Sequence, residues 1–257
     1  MSALSRRTFL IGSAGLSLGL AGCAARQPVA ELASSLDLAP LPAVPIPRAT
    51  TGPLPEPGQR LDYAAIYART DAGAFPVPAV DRTKVDPAFL RAEVAYRTSE
   101  APGTIVIDPH AHYLYHVEDG GRATRYGVGV GREGFGWSGE AVIKTKQQWP
   151  DWYPPKEMLA RQPELAAKMS QLQGGTGMRG GPSNPLGSRA LYLWQDNKDT
   201  LFRIHGTVEP WTIGKNASSG CIRMINQDVM DLYDRTPEGT KVVVLGRDQP
   251  VNRSRSI

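Results

Sequence analysis

Residues 203–224 read R-I-H-G-T-V-E-P-W-T-I-G-K-N-A-S-S-G-C-I-R-M, with His205 near the start and Cys221 near the end. The loop between them carries Gly206, Gly214, Gly220 and one proline. A thiol is a useful nucleophile near neutral pH only beside a base or cation, because the thiolate is the reactive species. A histidine distant in sequence but folded beside the cysteine supplies that base. The small residues Ser218, Ser219 and Gly220 let backbone N–H groups turn toward an oxyanion, the usual partner of acyl-transfer chemistry. The stretch therefore predicts a cysteine acyl-transfer site. Each residue alone has a plainer reading: a lone cysteine is most often a small buried hydrophobe, and a lone histidine a satisfied polar group.

The N-terminus argues independently for the cysteine. Ser5-Arg6-Arg7-Thr8-Phe9-Leu10 reads as a twin-arginine signal, followed by an apolar stretch to Leu20 diluted by Gly12, Gly15 and Gly19. That stretch is shorter than the roughly 20 residues a spanning helix needs, so it reads as a targeting segment. It ends in Leu20-Ala21-Gly22-Cys23, which resembles a bacterial lipobox with Cys23 as the lipidated residue; an ordinary signal-peptidase site near Ala21–Ala25 is the alternative. The chain has two cysteines. With Cys23 lipidated, Cys221 is a single thiol in an oxidising compartment, where structural cysteines come in pairs. A Cys23–Cys221 disulfide is the other possibility, but nothing in the sequence holds a flexible terminus near the site.

Five segments follow along the chain: a signal at 1–23, a tether at 24–60, an N-terminal extension at 61–100, a catalytic domain at 101–247 and a tail at 248–257. The tether is dense in alanine and in proline from Pro28 to Pro57, which predicts an extended spacer. In the extension, Asp86 and Pro87 look like the N-cap and first residue of a short helix, and 93–98 alternates like a strand. Strand signals then multiply at 104–108, 113–117 and 125–130, the last two joined by Glu118-Asp119-Gly120-Gly121 as a meander. Further strands are expected at 141–144, 190–194, 201–205 and 241–245. Helical patterns are few: 156–170 after Pro154-Pro155, and 226–235, with Asn226 as N-cap and Val229, Met230, Leu232 and Tyr233 as its apolar set. The expectation is a mainly β domain with one or two helices.

Several function classes are excluded. The formal net charge of +4 falls to +2 without Arg6 and Arg7, and no long Lys/Arg run forms a phosphate-tracking patch, so nucleic acid is not a partner. Gly129 to Gly134 and Gly175 to Gly180 both fit G-x-G-x-x-G, but Phe-Gly-Trp-Ser-Gly and Gly-Pro-Ser-Asn-Pro follow them and open no helix. His110, His112 and His116 lack a completing ligand set, so no metal is expected. Trp149, Trp152 and Tyr153, interleaved with prolines, read as a packed loop that can wall a cleft.

Residues 103–246 resemble the L,D-transpeptidase (YkuD-type, ErfK-like) catalytic domain of bacterial cell-wall enzymes. The matching pieces run in order: G-T-I-V-I-D, Y-G-V-G-V-G, W-P-D-W-Y-P-P, G-G-P-S-N-P-L-G-S-R-A-L-Y-L, I-H-G-T-V-E-P-W-T-I-G, S-S-G-C-I-R-M and N-Q-D-V-M-D-L-Y. The resemblance implies a β-sandwich-like fold with Cys221 as nucleophile and His205 as base. It also implies that the Gly206 carbonyl orients the imidazole and that the backbone around Ser219, Gly220 and Cys221 forms the oxyanion hole. Ser219 stands where many family members have histidine. Arg223 reads as a partner for a substrate carboxylate, or as an ion pair with Asp228 or Asp231; Ser218 bonds the substrate or supports the loop.

The implied reaction is 3→3 cross-linking of peptidoglycan stem peptides without a cofactor. Water as acceptor makes a carboxypeptidase or endopeptidase, and a lysine on a protein makes a protein-to-wall ligase. A non-catalytic, lipid-anchored wall-binding module is the reading from another class. A thiol redox protein lacks a resolving cysteine once Cys23 is lipidated.

Overall fold

The computed structural model describes residues 61–131, 137–218 and 220–246. The signal, the proline-rich tether, Ser219 and the C-terminal tail lie outside the described residues, and so does Cys23.

The described chain opens with α1 (Tyr63–Ile66), capped by Asp62 Oδ1, which accepts from the Ala64 and Ala65 amides at 3.0 and 3.1 Å. A small hairpin of β1 (Thr70–Asp71) and β2 (Pro76–Val77) follows. Asp86 caps the next turn, its Oδ1 2.9 Å from Ala88 N, but the helix expected there is a single 3-10 turn, Pro87–Phe89. β3 (Ala92–Ala95), β4 (Ile105–Asp108), β5 (Tyr113–Glu118) and β6 (Arg122–Gly127) then form antiparallel pairs β4–β5, β5–β6 and β6–β3. The β5–β6 turn has Gly120 and Gly121 at φ +72° and +71°, the left-handed pair that matches strand twist in a tight hairpin.

Next come β7 (Val130–Gly131), β8 (Gly139–Gln148), α2 (Lys156–Arg161), α3 (Pro163–Ala166), and a hairpin of β9 (Ser170–Leu172) with β10 (Gly175–Gly177). The chain closes with β11 (Arg189–Gln195), β12 (Lys198–His205), β13 (Asn216–Ser218), β14 (Ile222–Arg223), α4 (Asn226–Arg235) and β15 (Lys241–Val244). Among the described residues one sheet has nine strands, in the order β14-β12-β11-β8-β15-β4-β5-β6-β3. Its two ends bury one core: Ile107 and Leu114 join Leu191, Ile204 and Ile222, sealed by Val229 and Leu232 of α4. Each such side chain contributes about 1.5–3 kcal/mol when fully buried. The fold is the mainly β architecture with short helices that the sequence predicts.

Three expectations are corrected. The helix at 156–170 breaks in two, because Pro163 has no N–H to continue it and Gln162 leaves helical geometry at φ −133°; Ser170 already starts a strand. Residues 175–177, expected as loop, form β10. Asn226 is the first residue of α4 and not its cap; Ile225 holds that position without a side-chain bond. The Asn226 side chain is used elsewhere, as described next.

Candidate active site

The strand that ends in His205 is positioned from both sides. Antiparallel pairing with β11 sets His205 opposite Ala190, and parallel pairing with β14 sets Ile204 beside Ile222 and His205 beside Arg223. Ile204 and Ile222 are fully buried in the core. By strand alternation, Arg203, His205, Cys221 and Arg223 therefore share the opposite face. The 206–221 loop makes this possible, since parallel neighbours need a long connection. β13 in that loop pairs with β7, and Gly129 exchanges backbone bonds with Arg223 at 2.8 and 2.9 Å. Gly220 has φ +133°, a backbone conformation that L side chains rarely adopt.

His205 is buried, and its Nδ1 lies 2.6 Å from the carbonyl oxygen of Gly206. That contact fixes the orientation of the ring. Burial pushes the imidazole down to about 4; hydrogen bonds to the Gly206 and Leu186 backbone oppose this, and the charges of Arg223 and Arg203 reinforce it. Cys221 is half-buried, with Sγ 4.0 Å from the Leu201 carbonyl oxygen. Burial pushes the thiol up, while the Arg203 main-chain hydrogen bond and the charges of Arg203 and Arg223 pull it down. At neutral pH the two groups rest as thiol and neutral imidazole.

Two asparagines hold the backbone around His205. Asn184 is buried; its Nδ2 lies 3.0–3.1 Å from the carbonyls of Pro150, Met178 and Arg179, and its Oδ1 accepts from Leu186 N at 2.9 Å. Asn226 accepts from Ser188 N and donates to Thr207 O, both at 2.9 Å. It thus ties the segment carrying Leu186 to the segment carrying Gly206. The fit is close: a Cβ on Gly206 would fall 2.1 Å from Asn226 Oδ1.

The expected ion pair of Arg223 with Asp228 or Asp231 does not form. Arg223 Nη1 meets Glu209 Oε2 at 2.9 Å. Arg91 takes Asp228 and Asp231, each at 3.0 Å, because the 61–91 segment lies across α4 and brings that guanidinium to them. Ser218 closes β13, with its backbone in register with Gly131. Ser219 lies outside the described residues. His112 reaches Asn216 at 2.8 Å, and among the described residues no group of three or more His, Cys, Asp or Glu is placed to hold a metal. Trp149 packs edge-on against Phe75 at 5.2 Å and donates to Ala72 O at 2.9 Å, whereas Tyr153 is exposed.

Sequence reasoning passed over Arg203, whose guanidinium grips Asp199 through two 2.7 Å bonds and covers the Tyr192 ring at 4.3 Å. Its position two residues before His205 was the available signal, since alternate residues of a strand share a face. Asn184 and Asn226 gave no such signal.

The chain belongs to the family of L,D-transpeptidase catalytic domains, YkuD, whose sequence profile matches residues 102–244. It is 31% identical over 157 residues to a probable L,D-transpeptidase ErfK/SrfK of Escherichia coli (strain K12), covering 58% of this chain and 45% of that one. It is 30% identical over 128 residues to a probable L,D-transpeptidase YbiS of the same organism, covering 48% and 37%. The match thus spans less than half the length of these curated relatives. A crystal structure from Brucella melitensis, described as a probable carnitine operon oxidoreductase caia, is 54% identical over 64% of this chain and 99% of that one, with a TM-score of 0.42.

Proposed function

We propose that the protein is a peptidoglycan L,D-transpeptidase that uses Cys221 as nucleophile and His205 as general base. The observation that supports this reading is the parallel β12–β14 register, which sets His205 beside Arg223, two residues on from Cys221. Family membership supplies the reaction class.

In this reading Cys221 Sγ attacks the carbonyl carbon of the third, L-centred diamino acid of a tetrapeptide stem, and the thiol proton passes to His205. The D-Ala amine leaves with that proton, and a thioester remains. A side-chain amine of a second stem then attacks the thioester, forming a 3→3 amide, and the proton this amine loses passes through His205 to the departing sulfur. The oxyanion is assigned to main-chain N–H groups of the 219–221 stretch, the role the family resemblance implies for Ser219, Gly220 and Cys221. Arg223 meets a substrate carboxylate in exchange for Glu209, its resting partner. No cofactor enters these steps. Water as acceptor gives a carboxypeptidase or endopeptidase, and a protein lysine gives a ligase, from the same acyl-enzyme. The working site is the periplasm, with export by the twin-arginine route and lipid on Cys23 as the anchor.

Purified protein incubated with disaccharide-tetrapeptide and analysed by mass spectrometry tests the reading, with Cys221→Ala alongside. A dimer lighter by one D-Ala, absent with the variant, supports transpeptidation. Tripeptide alone moves the assignment to carboxypeptidase. No reaction with stems, cross-linked muropeptides or protein acceptors would favour a wall-binding module.

A further inference from the structure

The bulged edge of β12 places two backbone groups around the reactive sulfur. Opposite Tyr192 stands Arg203 and opposite Trp194 stands Asp199, so one residue of β11 faces three of β12. Those three are Thr200, Leu201 and Phe202, and Leu201 is in the left-handed region at φ +62° and 75% exposed. A bulky non-glycine residue holds that conformation only where its surroundings over-determine it. They do so here. Asp199 Oδ1 accepts from Leu201 N at 2.8 Å; Thr200 Oγ1 donates to Leu193 O at 2.6 Å and accepts from Phe202 N at 3.2 Å.

The bulge begins where the parallel ladder stops. That ladder has two rungs, Ile204–Ile222 and His205–Arg223. One step beyond, Cys221 Sγ lies 4.0 Å from the Leu201 carbonyl, and Arg203, two residues before His205 whose carbonyl accepts from Met224 N, turns its main-chain N–H to that same edge of β12. An S–H group is a weak donor and a thiolate a strong acceptor.

Building on the acyl-transfer reading, we propose that this bulge is a thiolate-holding device. The resting S–H donates to the Leu201 carbonyl, and the sulfur anion formed when the proton passes to His205 accepts from the Arg203 main-chain N–H. Asp199 has two parts in it. It bonds the Leu201 amide through one oxygen and, by pairing with the Arg203 guanidinium, restrains how strongly that cation favours the thiolate. The main-chain N–H of Arg203 is therefore a catalytic hydrogen-bond donor to the reacting atom, and Thr200 and Asp199 are positioning residues.

The test reads the thiol directly and needs no peptidoglycan, so its failure is separable from failure of the transpeptidase reading. The rate of Cys221 alkylation by iodoacetamide is followed against pH in the full chain, with thermal unfolding as the check of folding. Thr200→Val, which keeps shape but loses both hydroxyl bonds, should raise the apparent thiol pKa by about one unit, slowing alkylation at pH 7.5 about tenfold. Asp199→Asn, whose side-chain oxygen can still accept from Leu201 N, should lower the pKa and speed alkylation about threefold. Replacing the Arg203 amide by an ester removes the N–H alone and should slow alkylation about tenfold. Opposite signs for Thr200→Val and Asp199→Asn are the signature, since a merely structural role predicts neither shift. An unchanged pKa in the folded ester variant, or shifts of the same sign in the two side-chain variants, overturns the proposal.

Discussion

His205 and Cys221 are held on the neutral sides of their titrations by the same cause, burial, which two arginines reinforce at the imidazole and oppose at the thiol. For a mechanism that starts with a neutral imidazole taking a thiol proton, this sets the acid limb of kcat/KM. The limb is expected near 4, where His205 titrates, and not near 6.5. A limb at 6–7 in the free enzyme would contradict it. The same shift affects stability. Unfolded, the imidazole titrates near 6.5, and folded near 4. Its contribution is therefore present above 6.5 and lost as pH falls toward 4, about 3 kcal/mol in all. Urea unfolding should show that acid-side loss as a difference between the wild type and His205→Gln. Gly206 makes a sharper local test. A methyl group there collides with Asn226, so Gly206→Ala should cost about 1–3 kcal/mol by overpacking and reduce kcat by displacing the carbonyl that holds Nδ1. Normal kcat in a folded Gly206→Ala protein would remove that carbonyl from the mechanism.

At the scale of elements, α4 is the piece on which the site leans, and its first turn is unusual in what it binds. Asn226 ties the two segments flanking His205, and Gln227 Nε2 donates to Ala68 O and Pro78 O at 3.1 and 2.9 Å. Asp228 is fully buried against Arg91 and the Tyr67 hydroxyl, 3.0 and 3.2 Å away. Removing one partner of a buried pair strands the other charge, so Arg91→Ala should destabilise by about 3–5 kcal/mol. Adding Asp228→Asn should recover part of that loss, and strictly additive losses would mean the pair is not coupled. The span of α4 was legible because Val229, Leu232 and the residues around them repeat at helical spacing. The use of Asn226 was not, because a polar residue at a helix start has the same local signature whether it caps the helix or reaches across to another segment. The 156–170 helix was over-read for a related reason. Its apolar spacing continues through Pro163, and only the missing N–H stops it. The bulge at Leu201 had no signal at all, since Thr-Leu-Phe carries neither glycine nor proline. Cys221 and His205 stood out as candidates in the sequence because acyl-transfer chemistry needs those residue types, whatever the local geometry.

For the whole molecule, the 61–100 segment is integral to the fold described here. β3 is an edge strand of the main sheet, and Tyr67, Val85, Leu90 and Phe89 form a second core with Ile213 of the 206–221 loop and Ile225 at the start of α4. A chain begun at residue 101 should lose Tm steeply or aggregate, while one begun at 61 should melt like the full chain. Equal melting temperatures for the two would show that the extension only rests on the domain. Charge steering adds little at this scale, since the net charge of +4 is small for 257 residues. Specificity therefore has to come from the contacts around the His205–Cys221 face. The most direct measurement is intact-protein mass spectrometry of the protein mixed briefly with disaccharide-tetrapeptide, followed by peptide mapping. The account predicts a disaccharide-tripeptide acyl adduct on Cys221 with release of D-Ala, absent in Cys221→Ala and slowed in His205→Gln. Turnover of the stem peptide that persists in Cys221→Ala, with no adduct on the wild type, would contradict it.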